Sequence, residues 1–162
     1  MEVLIKQIKN ESSAAVIDII LPIQQIEFNV PITLNDQPDL LDIENVYYHN
    51  GGAFWGASVN EELAGTIALL KFDNDLAAIR KMFVKKDFRG KELGLAQRLL
   101  ETLVQYCKDN EIKHLYLGTV SVLQAAMRFY ERNGFEQIEK SALPKSFPLM
   151  SADNVFYHLA IK

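Results

Sequence analysis

Three observations predict an α/β (α+β) chain with a mixed, mainly antiparallel central sheet and helices on both faces. First, three apolar segments between residues 54 and 84 are joined by short polar turns, which implies an antiparallel meander. Second, the period then turns helical, with Leu93, Ala96, Leu99, Leu100, Leu103, Val104 and Cys107 on one stripe. Third, extended segments follow that helix and close the chain, so helices and strands alternate around one sheet. The 162 residues, 49% of them apolar, suffice for a single domain over 1–162 with a sizeable core.

Each element has its own reason. Val3, Ile5 and Ile8 open the chain as a strand, and Asn10 to Ser13 offer N-cap chemistry to a helix carrying Val16, Ile19, Ile20 and Ile23. Pro22 lacks an amide donor and should kink or end that helix. Residues 27–38 hold two prolines and read as an ordered loop, followed by a short helix over Asp39 to Tyr48 that stops at Asn50-Gly51-Gly52. Strands over Phe54–Val59, Leu63–Phe72 and Leu76–Val84 form the meander. Past the long helix, His114–Leu117 is a strand broken by Gly118-Thr119, and Ser121 with Gln124 makes a capping box for the next helix. Asn133-Gly134 stops that helix, and Phe135–Ile138 and Val155–Ile161 are the closing strands.

Composition narrows the function. One cysteine rules out an intrachain disulfide and a thiolate-rich zinc site, and Cys107 lies on a buried stripe, so it is core. His49, His114 and His158 show no ligand spacing, so no metal is expected. No apolar run approaches the roughly 18 residues of a membrane span, and the N-terminus lacks the long apolar stretch of a secretory signal. These features predict a soluble, cytoplasmic chain without a membrane partner. A net charge of −4 speaks against general nucleic-acid binding. Yet six basic residues (Arg80, Lys81, Lys85, Lys86, Arg89 and Lys91) face only Asp87 in one short window, which suggests a small anionic ligand.

That window is a strand, a basic loop and a helix, RKMFVKKDFRGKELGLAQRLL over 80–100. A helix start exposes unpaired amides and the positive end of the dipole, which suits phosphate. Gly90 and Gly94 let backbone approach a pyrophosphate closely, with Arg89, Lys91 and Lys86 adding charge. Together with AAMRFYERNGF over 125–135, this stretch resembles the GNAT superfamily of acyl-CoA-dependent N-acetyltransferases. The first motif resembles the family's coenzyme A loop; the second resembles its tyrosine helix, and their order and separation also match. Two positions depart from the pattern: the loop is about two residues longer, judged by the usual spacing of its glycines, and Leu123 stands where many members have Asn.

The resemblance implies a GNAT-like fold with acetyl-CoA as cosubstrate. The loop residues Arg89, Gly90, Lys91, Gly94, Leu95 and Ala96 are then expected to hold the pyrophosphate, with Thr119 near the pantetheine. Met82, Phe83 and Val84 would lie on a strand that splays open and pairs with the pantetheine amides, and the amide of Met82 or Val84 would stabilise the oxyanion. Such a donor is worth about 3 kcal/mol of barrier. Tyr130 is the expected general acid, since a phenol of pKa about 10 stays protonated beside a departing thiolate. Glu27, Asp36 and Asp39 are candidate bases in the loop that overhangs the acceptor, with Glu27 foremost. Trp55, Tyr47, Tyr48 and Phe147 are candidates for the acceptor pocket, although core positions are the commoner fate of such residues, and residues 143–154 for one of its walls. The expected acceptor is a primary amine of a small molecule, attacked directly in a ternary complex, and a homodimer is plausible. Two alternatives stay open: acetylation of a protein lysine or N-terminus, and a CoA-binding sensor without turnover.

Overall fold

The meander is the frame on which everything else rests. In the computed structural model, which describes residues 2–162, strands β1 (Val3–Gln7), β2 (Ala53–Val59), β3 (Glu62–Lys71) and β4 (Leu76–Val84) run antiparallel in sequence order. Strand β5 (His114–Thr119) joins β4 in parallel, β7 (Val155–Ala160) lies antiparallel to β5, and β6 (Glu136–Ile138) pairs with β7 at the edge. The seven-stranded sheet has the order β1-β2-β3-β4-β5-β7-β6. The architecture is the mixed, mostly antiparallel sheet with helices on both faces that the periodicities predict.

The two faces are covered differently. Helix α3 (Leu95–Asp109) turns Leu95, Leu99, Leu100, Leu103 and Cys107 into the core on one face. Helix α4 (Gln124–Arg132) adds Tyr130 to the same cluster. On the other face, α1 (Ser13–Pro22) and the short α2 (Ile43–Val46) bury Val16, Ile20, Ile43 and Tyr47 against Phe54 and Ala68. Further along that face, Phe147 packs on Ala78 and Phe156, so the connection to β7 takes over where the helices end.

Helix α1 ends at Pro22, as its missing amide donor predicts, and a π-turn follows over Ile23–Glu27. Two local expectations are corrected. The expected helix over 39–48 is broken into a 3₁₀ turn (Pro38–Leu41), α2 and a second turn (Tyr48–Asn50). Asp42 is the cause: its carboxylate accepts from the Asn45 amide at 3.4 Å and from Asn45 Nδ2 at 2.6 Å, which restarts the helix there. No side chain caps α4, and Leu123 takes the N-cap place. Ser121 instead donates its amide to Asn154 Oδ1 at 2.9 Å, tying the start of that helix to the chain before β7.

One irregularity positions the site. Strands β4 and β5 pair only at Leu76–His114, Ala77–Leu115 and Ala78–Tyr116, then diverge. Beyond Ala78, the edge of β4 that faces β5 has no strand partner. Within this splayed part, Lys81 adopts a left-handed φ of 55° in a bulge opposite Ile67, and the Thr66 hydroxyl donates to its carbonyl at 2.7 Å. A bulge re-aims the side chains beyond it. Met82 and Val84 therefore pack on the α3 face and Phe83 on the α1 face.

Candidate active site

A cleft opens where β4 and β5 part, with room of about 140 Å³. That is space for on the order of ten waters. Its floor is the splayed β4 and the Gly118–Val120 end of β5. Phe28, Val30, Ile32 and Gln37 close one side, and Phe147, Met150 and Asp153 close the other. The loop over 27–38 and the connection 143–154 are thus both walls, as their place in the sequence suggests.

Past the end of β4 stands the N-terminus of α3. Gly94 is its N-cap with φ 58°, and no side chain caps the helix, which leaves its first-turn amides without a capping partner. Gly90 has φ 121°, and a Cβ built on it would meet no atom within 4 Å, so the loop leaves open space beside it. Leu95 is buried in the core. Lys91 is exposed.

Tyr130 reaches the splayed strand from α4. It is 6% exposed, its ring packs on Phe135 and Tyr157, and its hydroxyl lies 3.5 Å from Met82 Sδ on the splayed strand. Burial, and secondarily the charge of Asp153, push this phenol well above its ordinary value, so it holds its proton. Thr119 is buried on the same floor, and its carbonyl accepts the Asn154 amide at 2.9 Å. Tyr130 and Met82 thus meet, and Phe83 and Thr119 line the cleft.

Glu27 goes elsewhere. Its carboxylate accepts two bonds from the Arg89 guanidinium, at 2.5 and 2.7 Å, and Arg89 Nε donates to Val84 O at 2.8 Å. The Arg89 bonds hold the Glu27 carboxyl below its usual value, and Glu27 is not among the residues lining the cleft. A carboxylate so paired is a weak proton acceptor, so the geometry does not favour the role of base expected for it. The same clasp occupies Arg89, whose expected partner is a phosphate. Asp36 is spent on Thr33, accepting from its amide at 2.9 Å.

Asp39 belongs to a buried polar chain behind the cleft. Its Oδ2 accepts from the Tyr47 hydroxyl at 2.6 Å and lies 3.6 Å from Lys81 Nζ. Lys81 also donates to Gln37 Oε1 at 2.6 Å, and Gln37 Nε2 donates to Gln24 Oε1 at 2.9 Å. Burial lowers the Lys81 ammonium to about 8, against the opposing pull of Asp39. Tyr47 and Trp55 are core residues, and Tyr48 bonds the carbonyls of Ile8 and Phe54; of the four aromatic candidates, Phe147 lines the cleft.

The residues that sequence reasoning missed are Asp153 and the separate role of Arg80 and Lys81. Asp153 lies against Gly118 so closely that a Cβ there would come within 2.4 Å of its Oδ2. Burial raises its carboxyl to about 6, with Arg80 and Lys81 pulling the other way. Two cations inside an otherwise apolar strand were a usable signal for the second pair; nothing in the sequence singles out Asp153. Among the described residues, no cluster of three His, Cys, Asp or Glu side chains is arranged to hold a metal, and no helix is long and apolar enough to cross a membrane.

Comparison with known proteins agrees with the fold. The profile of the acetyltransferase (GNAT) family matches residues 17–135, and the chain belongs to that family. An acetyltransferase of the GNAT family from Staphylococcus aureus superposes with a TM-score of 0.95 at 40% identity, covering 99% of this chain and 100% of that one. The N-acetylaspartate synthetase of Danio rerio is 32% identical over 102 residues, 62% of this chain and 36% of that protein. The uncharacterized N-acetyltransferase YjgM of Escherichia coli is 30% identical over 105 residues, 63% of this chain and 62% of that protein. The chain thus spans less than two thirds of the length of these last two relatives.

Proposed function

We propose that this protein transfers the acetyl group of acetyl-CoA to a primary amine of a small molecule by direct attack in a ternary complex. The observation that carries the reading is a cleft on an unpaired strand edge, lined by an acidic residue, with a buried tyrosine touching the same splayed strand. The donor side fits coenzyme A: the α3 amides and the space at Gly90 suit a pyrophosphate, and the free edge of β4 suits the amides of pantetheine. When bound, acetyl-CoA supplies the activated acyl group.

The chain's residues divide the remaining work. A backbone amide of the splayed strand, at Met82 or Val84, donates to the developing oxyanion. Tyr130, kept protonated by burial, gives its proton to the thiolate that leaves. Asp153 takes the proton of the attacking amine, directly or through one water, a role its raised carboxyl suits near neutral pH. The overhang of Phe28, Val30 and Ile32 favours a small acceptor over an extended peptide.

Calorimetric titration with acetyl-CoA against adenosine diphosphate tests the donor side, and release of free CoA on adding small amines tests turnover. Binding tighter than the nucleotide, with CoA released by small amines, is the expected result. Binding without release by any amine would favour a sensor, and release driven by peptide N-termini would favour a protein substrate.

A further inference from the structure

Arg80 and Lys81 are adjacent cations in the cleft, but they are provided for differently. Lys81 has Asp39 at 3.6 Å and Gln37 at 2.6 Å. Arg80 makes, among the described residues, a single side-chain hydrogen bond, Nη2 to Met150 Sδ at 3.4 Å, and has no carboxylate within 4 Å. A guanidinium carries five donors in a planar fork shaped for a carboxylate, and a thioether is a weak acceptor. Half-buried and lining the cleft, this fork is short of an anion.

Asp153 has the complementary shortage. Its carboxylate accepts no hydrogen bond from the described residues and makes no ion pair within 4 Å, although Arg80 and Lys81 both sense its charge. Two opposite charges therefore face one cleft without closing on each other, each with donor or acceptor capacity to spare. The walls between them are apolar, from Ile23, Phe28, Val30, Ile32 and Phe147.

We infer that the acceptor is an amino acid with an uncharged, apolar side chain, its carboxylate held by Arg80 and its amine directed to Asp153. This rests on the acetyltransferase reading and makes Arg80 the residue that selects the substrate. A decarboxylated amine leaves the guanidinium without its anion, and an amide replaces a charge-assisted pair of bonds with weaker ones.

The test compares L-leucine and L-phenylalanine with isoamylamine, phenethylamine and leucinamide as acceptors. Wild-type kcat/KM is expected to be at least about tenfold higher for each amino acid than for its decarboxylated partner. In Arg80→Met that ratio falls toward one, chiefly through KM, and Arg80→Lys, which keeps charge but not the fork, restores part of it. Unchanged melting temperature and acetyl-CoA affinity in the variants show that the fold is kept. Equal or better use of the decarboxylated amines, or a ratio unmoved in Arg80→Met, overturns the inference.

A second arm needs no turnover. N-acetyl-L-leucine and N-isoamylacetamide are titrated into the protein with and without CoA and followed by NMR. Binding of the first that is lost in Arg80→Met supports the inference even if no amine is acetylated, and equal or absent binding of both overturns it. Failure to bind acetyl-CoA, in contrast, overturns the acetyltransferase reading alone.

Discussion

The two sides of the cleft are made of different material. The side proposed for the donor is backbone: the first amides of α3, the left-handed Gly94, the open space at Gly90 and the unpaired edge of β4. The side proposed for the acceptor is side chains: Arg80, Lys81, Asp153 and Gln37, set among the apolar walls of two connecting segments. A backbone site needs glycines, a change of period and little else, so many sequences can build it. A side-chain site depends on which residues two long connections bring together, and it can change without disturbing the sheet.

That contrast sets what each substitution should do. The largest effect is expected for Asp153→Asn, which keeps size and removes the proton acceptor. Its kcat should fall by roughly 10²–10⁴, the usual worth of a positioned acid or base. Tyr130→Phe should cost a comparable factor in kcat while calorimetric affinity for acetyl-CoA stays. If either variant lost acetyl-CoA binding instead, the division between the two sides would be the first thing to give way. The pH profile sharpens the same point: kcat/KM should rise through about pH 6 as Asp153 loses its proton, and the rise should vanish in Asp153→Asn.

Asp39→Ala comes next, and it acts on stability. It strips the counter-charge from Lys81, whose Nζ is buried, and removing one member of such a pair typically costs about 3–5 kcal/mol. For a chain of this size that is a fall in melting temperature of about 10 °C. Smaller still is the histidine pair between β5 and β7, where His114 Nδ1 and His158 Nε2 lie 2.9 Å apart. Burial, then the charge of His114, hold His158 below its ordinary value, with Glu136 opposing. The unfolded chain therefore takes up its proton first, so stability declines as pH falls below about 6.5. His158→Gln should flatten that decline in a series of thermal melts. The smallest effect belongs to Glu27→Gln: partly exposed pairs contribute about 0–1 kcal/mol, and kcat should hardly move. A loss of kcat as large as that of Asp153→Asn would return the role of base to Glu27.

How much of this was legible in the sequence follows the same division. The order of the strands and helices could be read because periods of two and 3.6 alternate, from Phe54–Val59 through the stripe of Leu99 to Cys107. The start of that stripe could not, since Leu93 precedes α3 and Leu95, not Ala96, is buried. The placing of Tyr130 opposite the splayed strand was implied by two motifs at the right separation. Helix ends were less legible, because Pro22 ends α1 but does not prevent the π-turn after it, and Asp42 breaks a helix by a contact only three residues long. Asp153 could not be found at all. Its importance comes from lying against Gly118, in another strand 35 residues earlier, and no spacing rule records that. The basic window looked like one patch, yet the fold parts it: Arg80 and Lys81 enter the cleft, Lys85 pairs with Glu62 at 3.2 Å, and Arg89 clasps Glu27.

Cys107 has a practical bearing on all of these measurements. It is the sole thiol of the chain, it is fully enclosed on the inner face of α3, and burial pushes it up to about 12. A protonated, enclosed sulfur is inert to the dyes that react with thiolates. Each turnover proposed above would release one molecule of CoA, whose sulfur is free. The folded protein thus adds no background colour to an assay that counts thiols. Any slow signal at the stoichiometry of one per chain would instead time the opening of the core.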